Sequence, residues 1–87
     1  IPKMTLKKKV QEIVSILKTK GSASFSTLIG EAPDRIQVIV VFLAILELVK
    51  QKLIETDQPD LFGDISLSPN ESLFAASEDE LILADEL

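Results

Sequence analysis

Four carboxylates, Glu55, Asp57, Asp60 and Asp64, fall in one short stretch of the chain. Clustered carboxylates are raw material for acid–base or metal chemistry, so they are the first candidates for a site. Nothing in the sequence accompanies them. The chain has no His and no Cys, which excludes Cys/His zinc sites, a disulfide scaffold, imidazole acid–base catalysis and the usual nucleophile–His pairs. The acidic spacing is not that of a calcium loop, and no Gly-rich phosphate loop is present. The serines have no base to activate them. The expectation is therefore solvated turn and strand carboxylates, no catalytic or metal residues, no cofactor and no enzyme.

The bulk properties bound what else is open. A chain of 87 residues suits one domain, and an apolar fraction of 46% supplies one core. The sequence begins at Ile1 rather than at Met, which reads as a piece of a longer protein. The longest apolar run, Val38 to Leu46, is far short of the ~20 residues that span a bilayer, and no signal peptide is visible. Lack of cysteine fits a reducing compartment. Charge is uneven: residues 1–67 hold all nine Lys and Arg with eight acids, net +1, whereas 68–87 hold six acids and no base, net −6. An acidic balance opposes long-range attraction to nucleic acid.

Periodicity gives the elements that would carry a site. Leu6, Val10, Ile13, Val14 and Leu17 form one helical stripe, predicting a first helix over about Thr5 to Lys20, capped by Thr5 and stopped at Gly21. Its Lys7, Lys8 and Lys9 read as a solvated face. Ser22–Phe25 has room for a short strand. Phe25, Leu28 and Ile29 predict a small second helix ending at Gly30. Asp34 with Gln37 three positions on is a capping-box pattern, opening a third helix that runs to about Gln51. Leu53–Gln58 and Leu61–Leu67 alternate as strands, with Gln58-Pro59-Asp60 as the turn of an antiparallel hairpin. In the second strand Leu61, Gly63, Ile65 and Leu67 share one face, and Phe62, Asp64 and Ser66 the other.

This order predicts an α+β, mostly helical fold: a winged helix-turn-helix of three helices plus a β-hairpin over residues 1–67. A three-helix bundle with an appended hairpin is the alternative. Residues 68–87 form an acidic tail, with capping patterns at Ser68–Glu71 and Ser77–Glu80 that allow two short helices, around 69–76 and 78–86. A disordered acidic tail is equally compatible with that composition.

The third helix carries the functional signal. On a wheel of about 100° per residue, Val38, Val41, Phe42, Ile45, Leu48 and Val49 gather as the expected core face, with Leu46 at its margin. Gln37, Glu47, Lys50 and Gln51 mark the opposite side, yet Ile36, Val40 and Leu43 lie among them, with Ile39 at the border. A surface helix normally shows one apolar stripe. A second apolar face implies either cover from the tail or hairpin, or a protein partner. A winged-helix DNA-binding regulator is the competing reading. It needs donors on the recognition helix, but Ile36 to Val49 contains no Lys or Arg, and the wing holds Asp60 and no base.

Phe42-Leu43-Ala44-Ile45-Leu46-Glu47-Leu48 followed by Gln58 and Phe62-Gly63-Asp64-Ile65, with Phe25-Ser26-Thr27-Leu28 and Arg35 before them, resembles the C-terminal domain of kleisins. The similarity covers residues 5–67 and is strongest to the bacterial segregation and condensation protein A family. It implies a winged helix that docks on one ATPase head of a structural-maintenance-of-chromosomes (SMC) protein and has no activity of its own. It further implies a cytoplasmic, nucleoid-associated complex that compacts and segregates chromosomes. Accessory segregation and condensation protein B would be bound through parts of a longer chain, DNA reached only through the complex, and no membrane involved. Partner contacts are expected at Ile36, Val40, Leu43 and Phe62, with Phe42, Ile45 and Leu46 in the core. An orphaned apolar face is also expected to favour self-association of the isolated chain.

Overall fold

The computed structural model describes residues 3–75. The order is α1 (Lys3–Lys20), β1 (Ala23–Ser24), α2 (Phe25–Ile29), α3 (Arg35–Lys50), β2 (Ile54–Asp57), β3 (Ser66–Pro69) and α4 (Glu71–Ala75). This is the mostly helical α+β, winged-helix-like architecture read from the sequence. The second tail helix expected around 78–86 lies outside the described residues.

The first helix buries the stripe its periodicity implies: Leu6, Val10, Ile13, Val14 and Leu17 are all in the core. Thr5 is not the cap, because α1 already begins at Lys3. Gly21 adopts φ +83° and its N–H donates to the Leu17 carbonyl (2.9 Å), ending the helix with the backbone that glycine adopts without strain. Against this stripe α3 packs Val41, Ala44, Ile45 and Leu48, and β2 and β3 contribute Ile54 and Leu67.

The sheet has strand order β1-β3-β2, all antiparallel, with Ala23 opposite Leu67 and Thr56 opposite Leu67 from the other side. The second hairpin strand does not occupy Leu61–Leu67 as alternation suggested. It lies at Ser66–Pro69, and residues 58–65 form a long wing. Local hydrogen bonds explain the difference. The Gly63 N–H donates to the Asp60 carbonyl (2.8 Å), and the Gln58 side-chain amide to the Gly63 carbonyl (2.9 Å). These bonds use groups that a ladder would need. Glycine suits the close approach there, since an added Cβ would lie 3.0 Å from the Asp60 oxygen and the turn would have to give by a few tenths of an ångström to admit it.

The expected division after Leu67 falls inside β3, and the body of the fold continues into α4. Leu73 is fully buried within the main core. The Asn70 N–H donates to the Leu53 carbonyl (2.9 Å), while the Asn70 side-chain amide (3.0 Å) and Ser72 hydroxyl (2.8 Å) both donate to the Lys52 carbonyl.

That carbonyl belongs to the residue that ends α3. Leu53 N–H donates to the Leu48 carbonyl (3.0 Å) and Lys52 N–H to the Val49 carbonyl (2.9 Å), a Schellman arrangement with Lys52 at the left-handed position, φ +61°. A lysine there carries the steric cost of Cβ against backbone, ~1–2 kcal/mol for a non-glycine residue. Lys52→Gly is therefore expected to stabilise the domain by up to ~1 kcal/mol after glycine's larger unfolded-state entropy is set against the relief. A denaturant midpoint no higher than that of the wild type would show that Lys52 is unstrained.

Candidate protein-docking surface

The orientation of α3 decides which side chains face outward. Asp34 caps the helix, its carboxylate accepting from the Gln37 N–H (2.7 Å). The buried residues are Val40, Val41, Ala44, Ile45, Glu47 and Leu48. This core face lies about one residue's step, ~100°, round the wheel from the expected one. Two residues account for the rotation. Ala44 contributes little to a hydrophobicity pattern yet sits fully buried in the main core cluster. Glu47 looks like a surface residue but is buried, because the Gln51 side-chain amide donates to its Oε1 (2.7 Å) and Lys50 Nζ stands 4.0 Å from its Oε2. A buried carboxylate needs such partners.

The outward face is therefore Ile36, Ile39, Phe42, Leu46 and Val49, all exposed large apolar side chains. Leu46, at the middle of the stripe, is 47% exposed and Phe42 46%. Both had been expected in the core. Of the contact residues expected from the sequence, Ile36 lies on this face. Leu43 is half-buried and packs against the core from its edge. Val40 does not reach the surface: it is 2% exposed and cannot present a side chain to a partner in this conformation. Arg35 and Lys50, both exposed, bracket the stripe at its two ends. Their position on the wheel beside Phe42, Leu46 and Ile39 is the sequence signal that marks the solvent side.

Phe62 is exposed as expected, but not on a strand face. It sits in the wing with φ +71° and 95% of its surface open, next to exposed Leu61. A bulky residue held left-handed is a backbone outlier whose cost, ~1–3 kcal/mol, persists only where the surroundings impose it. Here the Asp60–Gly63 turn imposes it.

The four carboxylates do not converge. Among the described residues no three acidic side chains gather as a metal-ion site. Glu55 and Asp57 lie on β2, Asp60 in the wing turn, and Asp64 serves α2. Asp64 Oδ1 accepts from the backbone N–H of Ser26 (3.1 Å) and of Ile65 (2.8 Å), and Oδ2 accepts from the Ser26 hydroxyl. With the Phe25 N–H bonded to the Ile65 carbonyl (2.9 Å) and the Thr27 N–H to Ser24 Oγ (3.2 Å), every N–H of the first three residues of α2 is satisfied. Asp64 thus staples the base of the wing to α2.

The Ser26 hydroxyl, then the Ser26 N–H, hold the Asp64 carboxyl below its ordinary 3.8, against a smaller opposing effect of desolvation. A folded-state value below the unfolded one means that the ionised form stabilises the fold. That contribution is fully present above the unfolded value and is lost as pH falls through the lowered folded value. Asp64→Asn is expected to lower the melting temperature at neutral pH. The difference from wild type should shrink as pH drops below 3.8. A difference independent of pH would remove the charged staple from this account.

The wing and α3 belong to sequences of one kind. The profile of the family described as Segregation and condensation protein ScpA matches residues 1–69. The chain is similar to a Segregation and condensation protein A of Myxococcus xanthus, 39% identical over 70 residues, covering 78% of this chain and 24% of that protein. It is similar to one of Clostridium acetobutylicum, 42% identical over 57 residues, covering 66% and 23%. A third, from Bacillus velezensis, is 35% identical over 68 residues, covering 78% and 27%. The chain thus spans about a quarter of the length of these curated relatives.

Proposed function

From the premise that this chain belongs to the segregation and condensation protein A family, we propose that it is a non-catalytic docking domain that binds the ATPase head of an SMC protein. The observation that carries this reading is the outward face of α3: an unbroken apolar stripe, Ile39, Phe42, Leu46 and Val49, where a DNA reader would display basic and polar donors. Complete burial of an aliphatic or aromatic side chain is worth roughly 1.5–3 kcal/mol. These residues are already about half covered, so each adds about half of that, before the cost of association. The exposed Leu61 and Phe62 of the wing supply a second apolar contact. The domain acts in the cytoplasm, on the nucleoid, as part of a complex that condenses and segregates chromosomes. Segregation and condensation protein B joins through other parts of the full-length protein, and DNA is reached only through the assembly.

Titration of the chain against an isolated SMC head domain tests the reading. Saturable binding that tolerates moderate salt is expected. No binding to the head, with duplex binding that weakens steeply as salt rises, would replace it with a DNA-binding function.

A further inference from the structure

The sheet has an open edge, and the chemistry of that edge is one-sided. β3 is the central strand, β1 lies on one side of it and β2 on the other, and no further strand lies beyond β2 among the described residues. The Asn70 N–H donates to the Leu53 carbonyl, so these two form a hydrogen-bonded pair that continues the register of β2 with β3. Bonded and non-bonded pairs alternate along an antiparallel ladder. Glu55 and Asp57 therefore turn their main-chain groups toward Ser68 and Ser66, while Ile54 and Thr56 turn theirs outward. Pro69, opposite Ile54, has no N–H to offer, which agrees with that phase. Glu55, Thr56 and Asp57 are all exposed, and Ile54 is buried, so the open part of the edge centres on Thr56.

Open edges are commonly blunted by a lysine, a proline or a bulge. β2 contains none of these, and its register with β3 is unbroken. It carries two carboxylates instead. Residues 53–75 hold five acids (Glu55, Asp57, Asp60, Asp64 and Glu71) and no base. Two copies of β2 paired antiparallel about Thr56 would set Glu55 of each opposite Asp57 of the other, and like charges directly opposite are destabilising. The edge thus disfavours its own copy and favours a strand that carries cations. We infer that the outer edge of β2 is a docking site for an extended segment of a protein partner with Lys or Arg at alternate positions. Main-chain bonds to Thr56 supply affinity, as in strand addition, and cations opposite Glu55 and Asp57 set the register. The residue between those cations faces Thr56, a place suited to a β-branched side chain. This edge works through backbone and charge, whereas the α3 stripe works through apolar burial. The inference does not rest on head docking.

A cyclised hairpin peptide whose free strand alternates lysine with threonine is the probe, since a pre-formed strand avoids the ordering cost of a flexible one. Added to the isotope-labelled chain, it is expected to bind saturably, to shift the amide signals of β2 more than those of α3, and to slow hydrogen exchange at the Thr56 N–H. The same hairpin with glutamate in place of lysine is expected to leave those signals unmoved. Thr56→Pro removes an outward N–H and spares the ladder to β3, so it should weaken binding at least ~10-fold while the domain still melts cooperatively. Glu55→Lys combined with Asp57→Lys keeps every main-chain group and should exchange the preference, so that the glutamate hairpin binds and the lysine hairpin does not. The inference is overturned if the lysine hairpin shows no saturable binding, if its shifts centre away from β2, if both hairpins bind the wild type alike, or if Thr56→Pro binds undiminished. No SMC head enters these measurements, so their failure and the failure of head docking are separate results.

Discussion

Replacing Leu73 by alanine is expected to destabilise the domain by about 3–5 kcal/mol, the range for truncating a fully buried leucine whose surroundings relax only in part. In a domain of this size that corresponds to a fall in melting temperature of well over ~10 °C. The residue stands beyond the helices and hairpin that define a winged helix, yet it is 0% exposed and part of the same core as Ile13, Leu17 and Leu48. Its neighbour is the control. Phe74 is 58% exposed, so Phe74→Ala should change stability by no more than ~0.5 kcal/mol. Denaturant unfolding of the two variants, with unchanged slopes, measures the contrast. Equal midpoints would mean that α4 is an accessory to the fold and not a part of its core.

The second large effect is on binding. Leu46→Glu and Phe42→Glu place a carboxylate in the middle of the outward stripe, where docking would have to desolvate it. Each is expected to weaken head binding by at least ~30-fold, the ~2 kcal/mol typical of a central interface residue. Because both side chains are about half exposed, the domain should still melt cooperatively. Val40→Glu is expected to do the opposite. It puts a charge at a 2% exposed position and should unfold the domain. Affinity measured beside thermal unfolding separates the two classes. Wild-type affinity in Leu46→Glu would remove the α3 face as the docking surface.

Much of this was legible from residue patterns. The stripe of α1 is repeated at clean helical spacing, so its five core residues follow from the period alone. Asp34 declared the start of α3 through its own side chain. The lack of His, Cys and basic readers narrowed the chemistry without any coordinates. The wing was less legible, because alternation through Leu61–Leu67 looks like a strand. What defeats the strand is a set of short-range hydrogen bonds among Gln58, Asp60 and Gly63, together with the carboxylate of Asp64 turned toward Ser26.

What the sequence determined by itself was the order of elements, the core stripe of the first helix, the family, and the presence of more apolar surface on α3 than one core contact can use. Only the tertiary structure decided which side of α3 that surplus faces. A helix that is apolar nearly all round has no phase in its own pattern. The phase is set by the groups that complete the packing: Ala44, fully buried in the core cluster that α1 shares, and Glu47, whose charge can be buried because Gln51 and Lys50 lie within reach. Close packing at Ala44 turns Val40 inward and leaves Phe42 and Leu46 in solvent, since side chains of a helix move as one rigid set, and the partners of Glu47 let its carboxylate tolerate the burial that this rotation brings.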